Sequence, residues 1–261
     1  MNYIDTHTHI YLDEFDKDRD TVIERCLFSQ VNKLLVPDID SHSRSKMLNV
    51  CEQYHSTCLP MLGIHPTSVH SDYEQELILL QNEMTKHACI AIGECGLDYY
   101  WDKTYINEQK KVLIEQFIIA SAYHLPLVIH SRKSLPDLLA LIKEYAYLHL
   151  SGVFHCFPGN INEAKILINA GFYLGIGGVV TYKNATMAAV VQHFPLEHIL
   201  LETDSPYLPP VPYRGKRNES SYIPVIASKI AEIKNIPIEE VAAVTTQNAI
   251  SLFHMSPSCC Q

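Results

Sequence analysis

No apolar run in this 261-residue sequence approaches the ~20 residues that a membrane-spanning helix needs. Nor does the N-terminus carry a basic segment followed by an apolar stretch of the secretory kind, so the cytoplasm is the expected location. Positive charge is scarce: 20 Lys and Arg against 29 Asp and Glu give a formal net charge of −9. That balance argues against a protein that coats duplex nucleic acid through a broad cationic face, although a bound divalent cation can outweigh the average charge locally. Cysteines stand at 26, 51, 58, 89, 95, 156, 259 and 260 without a C-x-x-C pair. They read as reduced, mostly buried thiols and not as a zinc knuckle or redox motif. Internal repeats, low-complexity linkers and composition breaks are also missing, which leaves one domain over residues 1–255 and a Ser/Pro tail at 256–261 expected to be disordered.

What is present is a chain 47% hydrophobic and 19% charged, enough for a large core. Its apolar residues gather in short runs with polar or glycine punctuation: YIDTH (3–7), KLLVP (33–37), PMLGIH (60–65), CIAIGE (89–94), PLVIH (126–130), GVFH (152–155), FYLGIGG (172–178) and HILLETD (198–204). Most are almost continuously apolar, the mark of strands buried on both faces of a parallel sheet. Helical spacing lies between them. Leu113, Phe117 and Ser121 with Ile114, Ile118 and Ala122 recur at i, i+4, and Ile223, Ile226, Ala227 and Ile230 at i, i+3, i+4, i+7. Eight alternations within about 250 residues predict a single-domain α/β protein, a (β/α)8 TIM barrel. A dinucleotide-binding fold fits poorly: Gly175, Gly177 and Gly178 imitate a phosphate loop, but Val180 stands where its third glycine belongs, and the run is the seventh strand.

Barrel enzymes carry their chemistry where strands end. The first run leads into His7 and His9, the third ends in His65, the fourth in Glu94, the fifth in His130, the sixth in His155, and the eighth in Glu202 and Asp204. His7 and His9 are two apart, so strand alternation turns both rings to one side. A lone H-x-H pair is explained by two polar groups closing a strand. Recurrence at strand after strand is not, because a satisfied core histidine has no reason to repeat there. Imidazole with carboxylate suits Zn²⁺, Mn²⁺, Fe²⁺ or Co²⁺, and the carboxylates admit Mg²⁺. Four of these histidines with two of the carboxylates already exceed one tetrahedral ion with an open position, so two divalent ions ~4 Å apart with a bridging carboxylate are expected. His42, His87 and His149 fall in loops or on helical faces and are expected at the surface.

Taken in order, IDTHTH, GIHP, GECGLDYY, LVIHSR, VFHCF, LLETDSPYL and PYRGKRNE resemble the TatD family of metal-dependent deoxyribonucleases, within the wider amidohydrolase-like barrel group. The resemblance implies that His7, His9 and Asp204 hold one metal, that His130 and His155 hold the second, and that Glu94 bridges them. It implies no metal bond for His65, which would contact the substrate phosphate or place the attacking water; a histidine hydrogen-bonded to its own loop is the bland reading of that residue. Glu94 occupies the place of the carbamylated lysine of many amidohydrolases, so no CO₂-derived ligand is required. Cys95 beside it reads as packing.

The expected activity is metal-assisted hydrolysis of phosphodiesters at DNA ends, with Mg²⁺, Mn²⁺ or Zn²⁺ and with Asp204, His65 and Glu94 as catalytic groups. A basic loop after the last strand, LPPVPYRGKRNES, carries Arg214, Lys216 and Arg217, the densest positive cluster in an acidic chain. With Arg132 and Tyr207 these form the expected substrate-binding set: Arg and Lys for phosphate, and Tyr207 or Tyr213 to stack on a terminal base. Two competing functions are a hydrolase of a small phosphoester, amide or lactone on the same metals and a metal-binding partner protein with little turnover. The basic loop favours a phosphate substrate, and the complete ligand set disfavours the second. Nothing in the sequence calls for a membrane or an obligate protein partner.

Overall fold

Apolar runs buried on both faces can satisfy their backbone only by pairing with one another under helical cover. The computed structural model describes residues 1–183 and 185–256 and shows that arrangement; within the expected tail, residues 257–261 lie outside the described residues. Eight strands appear in order: β1 (Tyr3–Asp5), β2 (Val31–Pro37), β3 (Cys58–Met61), β4 (Ile92–Asp98), β5 (Leu127–Arg132), β6 (Gly152–Phe154), β7 (Phe172–Ile176) and β8 (Ile199–Leu201). All neighbours pair in parallel, β1 to β3 in one sheet and β4 to β8 in another. Isolated bridges, Leu62 with Ile92 and Thr8 with Ser205, join the two open edges, helped by Gly93 N–H to Leu62 O (2.9 Å) and Thr6 N–H to Leu201 O (3.0 Å). The strands thus form the ring of a (β/α)8 barrel whose regular ladder is interrupted at two seams.

Helices α1 (Arg19–Phe28), α2 (Ser41–Gln53), α3 (Tyr73–Met84), α4 (Ile106–Tyr123), α5 (Leu135–Glu144), α6 (Ile161–Asn169), α7 (Met187–His193), α8 (Ile223–Lys234) and α9 (Ile238–Leu252) follow the strands. The predicted stripe of α8 is fully buried at Ile223, Ile226, Ala227 and Ile230. Alternation along the strands sorts the core into two layers. Ile4, Leu35, Met61, Val128, Val153 and Leu200 form an inner cluster with Ala249, Leu252 and Phe253 at the end of α9. Their neighbours Leu34, Val36, Leu127, Ile129, Phe154, Ile199 and Leu201 join the outer cluster, under the helices. His130 and His155 continue the inward parity of Val128 and Val153.

The strand limits differ from those expected in all eight runs, β6 and β8 ending just before His155 and Glu202 and β5 running past His130 to Arg132, and three of the shifts reshape the site. β1 stops at Asp5, so His7 and His9 come together around the bridged Thr8 beyond the strand. β3 stops at Met61 because the next backbone donors turn to side chains, Gly63 N–H to Asp38 (3.4 Å) and Ile64 N–H to Gln116 (2.9 Å). β4 runs past Glu94 to Asp98, so Glu94 is not a strand end. Strict alternation would also put Glu94 on the side of Ile92, away from the barrel axis. The β4–β5 register shifts between Ile92 and Cys95, and the shift turns Glu94 inward.

Gly96, at φ +143°, lies so close to β5 that a Cβ would collide with the His130 carbonyl. Gly96→Ala is therefore expected to cost roughly 1–3 kcal/mol from backbone conformation alone, lowering Tm in a thermal melt by several degrees. An unchanged melt would refute the constraint.

Candidate metal centre

Seven nitrogen and oxygen atoms meet above the inner core. His7 Nε2 lies 3.3 Å from His9 Nε2 and 3.1 Å from Glu94 Oε2. His9 Nε2 is 3.5 Å from the same oxygen, and Asp204 Oδ1 is 3.8 and 3.6 Å from the two rings. The other oxygen, Glu94 Oε1, faces His130 Nδ1 at 2.9 Å and His155 Nε2 at 3.0 Å, themselves 3.4 Å apart. A tetrahedral ion with ligands at about 2.1 Å has donors ~3.4 Å apart along each edge, so both nests have the donor chemistry and spacing for a divalent cation. Each takes one oxygen of Glu94. Burial alone would raise the Glu94 carboxyl, but His65, His155 and His7 outweigh it and hold it well below its usual range. No Lys or Arg pairs with Glu94, Glu202 or Asp204 among the described residues, so the charge that balances these buried carboxylates has to come from protonated imidazoles or from bound cations.

Hydrogen bonds fix which ring atom has a lone pair to give. His130 Nε2 donates to Asp98 Oδ2 at 3.0 Å, leaving Nδ1 free for a metal. His155 is held by charge instead: its Nδ1 stands 3.7 Å from Glu202 Oε1, too far for a hydrogen bond, while Nε2 faces Glu94. His65 runs the other way: its Nδ1 accepts from Thr67 N–H at 3.1 Å, so the neutral ring carries its proton on Nε2, which points at Glu94 Oε1 from 3.3 Å. In that tautomer Nε2 is a donor toward Glu94, although His65 also lies within metal-donor spacing of Glu94 and His130.

The model of the TatD related DNase family matches residues 4–254. This chain belongs to that family. TatD relatives include a Bacillus subtilis protein named as the metal-dependent hydrolase YabD, 37% identical over 97% of this chain and 99% of its own length. The crystal structure of YjjV, a TatD homologue from Escherichia coli, superposes with a TM-score of 0.90 at 29% identity, covering 97% of this chain and 98% of the other. A TatD-family hydrolase from Entamoeba histolytica gives 0.85 at 25% identity, with 98% and 99% covered.

In this TatD chain a cavity of about 820 Å³ opens over the nests, lined by His65, Arg132 and Tyr207 as well as by donor residues. The basic loop does not stay together. Arg217 is drawn off by Asp18 in a two-point pair (2.8 and 2.7 Å), donates to Glu14 O, and lies over the Phe15 ring; its fork is filled and it does not line the cavity. Arg214 instead stacks over Tyr182 at 4.5 Å beside a second, adjoining cavity, and Lys216 sits 6.0 Å from the Tyr213 ring. Tyr213 is itself stacked on Tyr222 at 4.0 Å, which leaves Tyr207 as the freer of the two tyrosines. Cys95 is buried with its thiol toward the Val128 carbonyl, as packing requires. His42, His87 and His149 are exposed.

Two residues went unassigned in the sequence. Asp98 lay inside GECGLDYY, but only the β4 register shows that it reaches His130. Glu202 ended the eighth run, yet its role depends on Gly175 of β7, where a Cβ would overlap its carboxylate. The glycines that imitated a phosphate loop make room for this contact and, at Gly178, for the Leu208 carbonyl. Asp98→Ala is expected to leave the barrel folded while weakening metal binding about 10–100-fold, as loss of a histidine's hydrogen-bond partner does elsewhere. Elemental analysis across a metal titration checks this; unchanged occupancy would remove Asp98 from the centre.

Proposed function

We propose that this TatD-family chain is a metal-dependent hydrolase that cleaves phosphodiester bonds at DNA ends, with His7, His9 and Asp204 holding one divalent ion, His130 and His155 the other, and Glu94 bridging them. The observation that carries the reading is the split of Glu94: its two oxygens face two separate donor nests beneath one open cavity. Ions of the Mg²⁺, Mn²⁺ or Zn²⁺ type bound there would supply Lewis acidity to the phosphate and a lower pKa for attacking water.

The residues of the chain do the rest. Hydrolysis forms a bond from a water oxygen to phosphorus and breaks the bond to the leaving sugar oxygen; the water proton has to be taken up and returned to that oxygen. Asp204 would serve this transfer: it lines the cavity, with Oδ1 toward His7 and His9 and Oδ2 3.9 Å from the Cys156 thiol. His65 lines the cavity with its Nε2–H beside Glu94 Oε1, from where it would donate to a phosphate oxygen brought next to that carboxylate, and Arg132 at the rim adds a guanidinium with no carboxylate partner among the described residues. Arg214 and Lys216 are free of ion pairs there too and suit the next phosphates. So few unpaired cations on an acidic chain fit a short strand end better than a long duplex. The cavity volume also lies within the ~300–1,000 Å³ of small-ligand sites, which keeps a small phosphoester as the second reading.

Protein stripped of metal and reloaded with Mg²⁺, Mn²⁺ or Zn²⁺ is expected to regain hydrolysis of end-labelled DNA and to spare closed circular DNA. Turnover by the stripped protein, or activity confined to small esters, would overturn the reading. His65→Ala is expected to keep its metals while turnover falls about 10²-fold, the scale of losing one donor to transition-state charge; wild-type cleavage would make His65 structural. Arg214→Ala is expected to raise KM for DNA and to reduce the salt dependence of binding by ~0.7 in log–log slope, one single-strand phosphate contact. Unaltered KM and slope would move weight to the small substrate.

A further inference from the structure

Large apolar side chains left in water at the rim of a polar site call for an explanation. The sole tryptophan of the chain, Trp101, is 68% exposed and its neighbour Tyr100 is 47% exposed. They follow β4 directly, and Trp101 lines the cavity over the metal donors. The Arg132 guanidinium stands 4.0 Å from the Tyr100 ring centre and 5.0 Å from that of Trp101, and Lys133 Nζ is 5.0 Å from Tyr100. Neither cation has a carboxylate partner among the described residues. The two aromatic rings meet edge to face at 5.1 Å, which keeps the indole from being covered by the phenol.

The backbone under this pair is fixed to the reaction site. Asp98 Oδ1 accepts the N–H groups of Tyr100 (2.8 Å) and Trp101 (3.2 Å), while its Oδ2 accepts from His130 Nε2. One buried carboxylate therefore sets both the aromatic turn and a metal-donor ring, so their spacing cannot drift independently.

We propose that Trp101, flanked by Arg132 and Lys133, is a stacking platform for an unpaired base of a single-stranded DNA end, holding the nucleotide whose phosphate enters the metal cavity. The inference deepens the phosphodiester reading and rests on it. An indole face accepts any base, so recognition is by strandedness and not by sequence, while Arg132 and Lys133 take the adjacent phosphate. A base within a duplex is already stacked and paired and has to be released first.

Because Trp101 is the only tryptophan, its fluorescence reports on the platform without reliance on turnover. Metal-loaded protein is titrated with a thymidine oligonucleotide carrying phosphorothioate linkages to suppress cleavage, with an abasic oligomer of equal charge, and with a blunt duplex. Saturable quenching by the single strand, and little by the other two, is the expected result. With labelled oligonucleotide and anisotropy, Trp101→Ala is expected to weaken single-strand binding about ten-fold and to leave abasic binding unchanged, while Trp101→Phe retains most of the affinity. Equal quenching by the abasic oligomer would reduce the site to charge and overturn the platform. No quenching from a protein that still cleaves DNA would also overturn it and leave the phosphodiesterase reading intact. Quenching by a protein that cleaves no phosphodiester would uphold the platform and sink the activity.

Discussion

The structure turns on the burial of one carboxylate. Glu94 sits almost without solvent among His7, His9, His65, His130 and His155. An ionised group in such a place is tolerable only if opposite charge and hydrogen-bond donors surround it. Everything near it answers that demand. Strand β4 changes register to bring it inward, Gly96 lets β4 and β5 approach, and rings from four separate parts of the chain aim nitrogen at its two oxygens.

A second set of carboxylates holds those rings. Asp98 takes His130, Glu202 stands behind His155 and accepts Cys156 N–H, and Asp5 accepts N–H groups from His7 and Thr203. Burial pushes Glu202 up to about 7 and Asp5 to about 6, against the pull of nearby donors and His155. Groups held in that condition gain from a cation in the nests, so on the proposed reading metal binding and the local fold support one another. The orientation of His130 is also a pre-paid cost: its hydrogen bond to Asp98 leaves Nδ1 with a lone pair before any ion arrives.

At the rim the physics is different, because exposed cations bind substrate only if the protein has not already paired them. Arg217 is spent on Asp18 and Glu14, whereas Arg132 and Arg214 rest on aromatic rings, which keep a guanidinium in place without neutralising it. Charge density in the sequence counted these arginines equally. Their availability depends on what helix α1 and the preceding turn bring alongside.

The chain by itself determined the alternation of eight apolar runs and helices and the identity and order of the candidate metal-donor residues, because continuous apolarity, 3.6-residue spacing and repeated histidine are local properties. The tertiary structure decided the rest. Whether Glu94 points inward depends on a register shift against β5, and which nitrogen of His65 is free depends on the Thr67 backbone. The link from Asp98 to His130 needs the pairing of two strands whose residues are 32 positions apart, and the capture of Arg217 needs a carboxylate 199 positions away. Composition and spacing carry the kinds of group a chain can offer; only three-dimensional neighbours fix their protonation, orientation and freedom to bind.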